Sequence, residues 1–195
     1  MSTLVPHRPA ILASIGIALA TLAILLLMDR PPICTCGTVN LWHGNINSSG
    51  NSQHISDWYT PSHVIHGMLF YGLGWVLFGK WRIGGEGAAR WGFTLAVALE
   101  AAWEVIENTP FVIDRYRSVT VNWGYSGDSV LNSMADLGWM SLGFVLAMRL
   151  PVKLTVALAI AMEILVALVV RDNLTLNVIM LLWPIDSIAQ WQAGG

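Results

Sequence analysis

Apolar residues dominate five windows of the chain, 9–28, 61–79, 91–110, 128–150 and 152–170, and polar residues gather between them. Each window is close to the roughly 20 residues that a helix needs to cross the ~30 Å hydrocarbon core of a bilayer. The pattern predicts an all-α, polytopic transmembrane bundle of five or six spans forming a single domain. The count turns on the tail, 173–191. It is apolar from Leu176 to Trp183 but interrupted by Asn177, Pro184 and Asp186, which leaves open a sixth span, a re-entrant piece or an interfacial helix held by Trp183 and Trp191.

Composition supports the membrane as solvent. Of 195 residues, 55% are hydrophobic and 11% charged, against about 25% charged in soluble domains, and the mean hydropathy is +0.59. A disordered chain and an ordinary soluble enzyme are excluded. Ten Lys and Arg against twelve Asp and Glu make no basic surface for phosphate backbones, so nucleic acid is not an expected partner and the lipid bilayer is. Basic residues are retained on the cytoplasmic side of a membrane. A cytoplasmic amino terminus places Arg8, Lys80, Arg82, Arg90, Arg149 and Lys153 inside, and makes 29–60 an outer segment. The first window is expected to be an uncleaved anchor, because Asp29, Arg30, Pro31 and Pro32 offer no small-residue cleavage site.

Ionisable groups in a bilayer are expensive, and each suggests a function. In the third window Glu100, Glu104 and Glu107 are spaced four and three apart, which places them on one helical stripe. In the fourth, Asp128, Asn132 and Asp136 descend at i, i+4 and i+8 from the same side, and the second begins with His63 and His66. Three carboxylates on one stripe repel unless they are protonated, paired or bridged by a cation. Facing one another, these stripes would line a pocket in the outer half of the bundle.

Imidazole with carboxylate suits a zinc-like ion, and carboxylate-rich sites suit manganese or iron. The cofactor is left open, with a divalent metal ion as one candidate and His63, His66, Glu104 and Asp128 as ligands or acid/base groups. Without a metal the same residues suit an acid/base pair, a proton relay or the binding of a cationic headgroup. His54, Asp57, Glu100, Glu107, Asn132, Asp136 and Asp172 are expected to bind substrate or orient the ligands. Glu163, halfway through the fifth window, suits either packing or a relay. Cys34 and Cys36 lie on the expected oxidising side, where a local disulfide is favoured over a metal or redox role, provided that the chain turns between them.

The blocks Cys34 to Gly37, Asn51 to Gly67, Glu100 to Pro110, Gly127 to Ser133 and Arg171 to Asn177 resemble an uncharacterised family of bacterial multi-pass inner-membrane proteins. That resemblance implies location in the inner membrane and no activity. The chain is also similar, more faintly, to the teicoplanin-resistance membrane-protein family, with His66, Glu100 with Glu104, and Asp136 followed by Leu137 and Gly138 in the corresponding order. This likeness implies binding or processing of an envelope lipid or amphiphile. The expected function is accordingly binding, or metal-assisted hydrolysis or transfer, on an envelope lipid or lipid-linked headgroup. The alternatives are a small carrier or proton relay, or an assembly subunit of a membrane complex.

Overall fold

A computed structural model describes residues 4–85, 87–121 and 124–194. Its helices are α1 (Arg8–Leu27), α2 (Thr60–Gly74), α3 (Gly92–Glu107), α4 (Pro110–Val119), α5 (Val130–Arg149), α6 (Val152–Val170), α7 (Leu174–Leu182) and α8 (Asp186–Gln192). A π-helical turn, Trp75–Lys80, extends α2, and a 3-10 turn, Ala88–Trp91, leads into α3. No strand forms among the described residues, where pairing is limited to an isolated bridge between His43 and Asp57. The protein is all-α.

Three helices, α1, α5 and α6, are each long and apolar enough to cross a membrane. The extended α2 and α3 coincide with the other two apolar windows. Proline in the first turn starts both α1 and α2, where its missing N–H costs nothing. Along α6 only Val166 is buried, leaving large apolar side chains such as Leu168 facing outward, as suits a helix whose solvent is hydrocarbon. In the tail, α7 has nine residues and α8 seven, each too short to cross a bilayer.

The centre of the molecule is the crossing of α2 and α5. Val64, Met68 and Tyr71 of α2 pack against Leu137, Met140 and Phe144 of α5, with Ala96 and Val97 of α3 completing the core. Phe144 meets Tyr71 and Phe93 edge to face, each at 5.2 Å between ring centroids. Two glycines set how close the helices come. A Cβ on Gly67 would collide with the backbone of Met140, and one on Gly143 with the backbone of Val64.

The segment between α1 and α2 folds over the start of α5 and supplies what that helix end lacks. The amides of Ser129, Val130 and Leu131 donate to the carbonyls of Ser52 (3.0 Å), Pro31 (2.8 Å) and Pro32 (3.1 Å). Ser129 caps the helix through Asn132 N–H at 3.1 Å. Arg30 donates to the carbonyls of Ser126 and Asp128. Gly127 has φ +90° and lies so close to the Arg30 guanidinium that a Cβ would clash with it. Cys34 and Cys36 are joined by a disulfide with Cα atoms 5.1 Å apart, inside the usual range for a bridge.

Glu163 is tied to a helix end. Its two carboxylate oxygens accept the amides of Leu174 (3.1 Å) and Thr175 (3.0 Å), the first residues of α7. A carboxylate there satisfies orphan donors and complements the positive end of the helix dipole. The chain leaves α6 through Arg171 at φ 59° and folds back along it to make these bonds.

Candidate functional site

The polar stripes meet at one end of the bundle, where α2 and α5 begin and α3 ends. Asp57 braces the entry to α2. Its carboxylate accepts the amides of Ser52 (2.6 Å) and Tyr59 (2.8 Å), while its own amide donates to Thr60 Oγ1 at 2.9 Å. This places His63 one turn into α2 and His66 on the next.

Glu100 is fully buried and serves both histidines. Its Oε1 is 2.7 Å from His63 Nδ1 and its Oε2 is 2.9 Å from His66 Nδ1. A carboxylate accepts, so both rings donate from Nδ1, and in the neutral imidazole this leaves Nε2 bare. A histidine held this way by a carboxylate is in the state that binds metal. His63 Nδ1, already bonded to Glu100, also lies 3.6 Å from Glu104 Oε1, and its Nε2 lies 3.6 Å from Asp136 Oδ2. These separations are too long for hydrogen bonds. The Nε2–Asp136 separation is close to the spacing of two ligands on one ion, roughly 3 to 3.5 Å when each stands about 2.1 Å from it. The most telling group is Glu104, which is fully buried and whose two carboxylate oxygens have no hydrogen-bond partner.

One turn nearer the end of the bundle, Asn108 and Asp128 form a reciprocal pair. Asn108 Nδ2 donates to Asp128 Oδ2 at 2.8 Å and Asp128 N–H returns to Asn108 Oδ1 at 2.8 Å. Tyr125 O–H donates to Asp128 Oδ1 at 3.1 Å. Ligand atoms of Glu104, Glu107 and Asp128 lie within 4.8 Å of one another, as do those of His63, Glu104 and Asp136 and those of His63, His66 and Glu100.

Of these groups His63, His66, Glu107, Asp128 and Asp136 line a cleft of about 1040 Å³, solvent at its mouth included, whereas Glu100 and Glu104 are not part of its lining. Tyr59, Tyr116 and Tyr125 form part of its wall, and Val121, Leu174 and Val178 give it an apolar side. No Lys or Arg is among the described residues that line it. Burial raises the hydroxyl pKa of all three tyrosines, and nearby carboxylates raise it further: Asp172 and Asp57 at Tyr59, Glu107 and Asp172 at Tyr116, and Asp128 and Glu107 at Tyr125. They remain neutral donors.

Seven of the sequence-selected residues are thus brought together: His63, His66, Glu100, Glu104, Glu107, Asp128 and Asp136. Asp136, rather than Asp128, is the aspartate that approaches His63. The residues of the fainter resemblance, His66, Glu100, Glu104 and Asp136, fall in this cluster. Asn132 lines the cleft, yet its Nδ2 donates to the His54 carbonyl at 2.8 Å. His54 itself is outside the cleft lining, stacked on His43 at 4.9 Å between ring centroids, with a ligand atom within 4.8 Å of both disulfide sulfurs. Burial lowers its pKa, and His43 lowers it further. Asn108 was not among the expected site residues, although it sits four residues after Glu104 on the same stripe. The cleft tyrosines carried no such signal.

Asp172 lies where the tail meets the cleft. Its carboxylate accepts from Asn173 N–H (2.9 Å), Gln192 Nε2 (3.1 Å) and Asn177 Nδ2 (3.4 Å). Burial pushes its pKa up to about 6, Glu163 adding to the rise and the three donors opposing it. A folded-state value above the ordinary 3.8 means that the folded protein holds this proton more tightly. The stabilisation, roughly 3 kcal/mol at most, is complete below pH 3.8 and lost as the pH rises through about 6. The thermal midpoint of the natural chain is expected to gain on Asp172→Asn as the pH is lowered across this window. Parallel pH profiles for the two proteins would refute this assignment.

Comparison with known proteins places the chain among relatives. The profile of a family described as "Protein of unknown function (DUF2585)" matches residues 25–194. A UPF0314 protein of Novosphingobium aromaticivorans is 54% identical over 192 residues, 98% of this chain and 96% of its own. A UPF0314 protein of Rhizobium etli is 52% identical over 182 residues, 93% and 90% of the two chains. One from Paracoccus denitrificans is 52% identical over 169 residues, 87% and 84%. No solved structure matches.

Proposed function

The chain belongs to the UPF0314 (DUF2585) family, and from that premise we propose, on its site chemistry, a multi-pass inner-membrane protein that uses a divalent cation on an envelope lipid headgroup. The cation is held by His63, Glu104 and Asp136 at the outer leaflet. The observation that carries this is the Glu104 carboxylate, buried with both oxygens unpartnered. Such a group costs several kcal/mol unless it is protonated or meets a cation, and ligand atoms of His63 and Asp136 lie within 4.8 Å of it.

Glu100 orients both imidazoles. His66, facing the cleft with Nε2 free, is placed to act as general base. The cleft lacks Lys and Arg, so an anionic headgroup needs the cation as its counter-charge, while Val121, Leu174 and Val178 offer a surface for acyl chains. In hydrolysis His66 takes a proton from water, the water oxygen bonds to the acyl or phosphoryl centre, the ester bond to the leaving oxygen breaks, and that oxygen receives the proton. The cation supplies Lewis acidity.

A small carrier or relay would draw on Glu163 and Glu100, but both are committed, the first to the α7 amides and the second to two histidines. The test is metal content by mass spectrometry on detergent-purified protein, together with headgroup release from a bacterial polar-lipid extract. Bound metal that falls by about one equivalent in His63→Ala and in Asp136→Asn, with release stopped by chelator, is expected. Folded protein that takes up no metal even after added zinc or manganese would overturn the proposal.

A further inference from the structure

We propose that the site takes a second divalent cation at Glu104, Glu107 and Asp128, making Glu104 the bridge of a two-metal centre. This rests on the cation site proposed above and extends it by one ion. Glu104 is the residue common to the clusters Glu104–Glu107–Asp128 and His63–Glu104–Asp136, in each of which the ligand atoms stand within 4.8 Å of one another. Both of its oxygens are buried without a partner. One ion satisfies both oxygens only by chelating them side by side, whereas an ion on each lets Glu104 serve both clusters.

Charge points the same way. Glu100 accepts hydrogen bonds from two histidines that are neutral while Nε2 is bare, so its charge adds to those of Glu104, Glu107, Asp128 and Asp136. No Lys or Arg is among the described residues that line the cleft beside Glu107, Asp128 and Asp136. Arg30 makes its hydrogen bonds with carbonyls, those of Ser126 and Asp128. Two divalent ions come within one charge of offsetting the five carboxylates, and one ion leaves most of their charge uncompensated. Like charges at such spacing are strongly disfavoured in a low-dielectric setting.

Asp128 is also prepared for a ligand. Asn108 and Tyr125 each occupy one lone pair on a different carboxylate oxygen, which orients the group and leaves the remaining lone pairs free. Asn108 is anchored in turn, donating from Nδ2 to the Glu104 carbonyl at 2.9 Å. Hydrogen-bonded support of this kind is what fixes metal-binding carboxylates. Asp128 and Glu107 line the cleft, so the second ion stands at its wall, where an entering headgroup meets it. Two cations sharing a carboxylate in a cleft without Lys or Arg favour a phosphate ester as the group bound, because adjacent ions can clamp two of its oxygens.

The experiment is a manganese(II) titration of the full chain, stripped with chelator in detergent, with bound ions counted per chain and the spectrum followed by electron paramagnetic resonance. Two ions and an exchange-coupled spectrum are expected for the natural chain. Glu107→Gln and Asp128→Asn are each expected to weaken the second ion at least tenfold and abolish the coupling while the first ion stays. Inorganic phosphate should alter the coupled spectrum and leave those variants' spectra unchanged. Glu107→Gln is the milder change, since Glu107 is only partly buried, and a matching elution profile confirms that it folds. One ion per chain, indifferent to Glu107→Gln, would overturn the second site and keep the first. No ion at all would overturn both.

Discussion

Gly143→Val is expected to leave almost no monodisperse protein in detergent, the largest effect of any single substitution considered. The glycine sits where α5 crosses α2, and a side chain there would enter the Val64 backbone, while the reciprocal contact sets Gly67 against the Met140 backbone. Overpacking a core that can shift side chains costs about 1–3 kcal/mol. Here the obstacle is backbone on both helices, so the cost falls at or beyond the top of that range, against a total stability of roughly 5–15 kcal/mol for a typical protein. The separation would also part His63 and His66 from Asp136, because α2 carries the first two and α5 the third. Elution profile and thermal midpoint check this; a folded variant with the natural midpoint would mean that the helices do not cross so closely.

Glu100→Gln is expected to weaken cation binding by about 10- to 100-fold in a protein that still folds. The carboxylate accepts from Nδ1 of both histidines. An amide has one accepting oxygen, and its NH₂ group faces a ring nitrogen that already carries hydrogen. One imidazole must therefore turn over or change tautomer, and its Nε2 ceases to be a free ligand. Competition titration with a metal chelator measures the change, with circular dichroism confirming helix content. Unchanged affinity would show that Glu100 does not set the histidines' state.

Much of the architecture was legible in the chain because it follows from local periodicity. Windows 9–28, 128–150 and 152–170 coincide with α1, α5 and α6, since twenty apolar residues in a row admit few other structures. The Glu100, Glu104, Glu107 stripe and the Asp128, Asn132, Asp136 stripe follow from the 3.6-residue turn, and they do face one another. Asn108, on the Glu104 stripe, was legible by the same rule. Asp57 and Asp172, expected to bind substrate or orient the ligands, both line the cleft, and there one braces the start of α2 and the other ties down the tail. A carboxylate reads the same in one dimension whether it awaits a ligand or accepts amides.

The amino-acid sequence by itself determined the helical class, the apolar windows and the side of each helix on which the acids lie, because these are properties of single segments. Only the tertiary structure decided the partners. It gave Glu100 two histidines and Glu163 the amides of α7, brought Asp136 rather than Asp128 to His63, and left Glu104 without a hydrogen bond among the described residues. Those pairings depend on how deeply and at what rotation α2, α3 and α5 pack. The depth of that packing is set by the close backbone approach at Gly67 and Gly143, a relation between segments that no periodicity within one of them can encode.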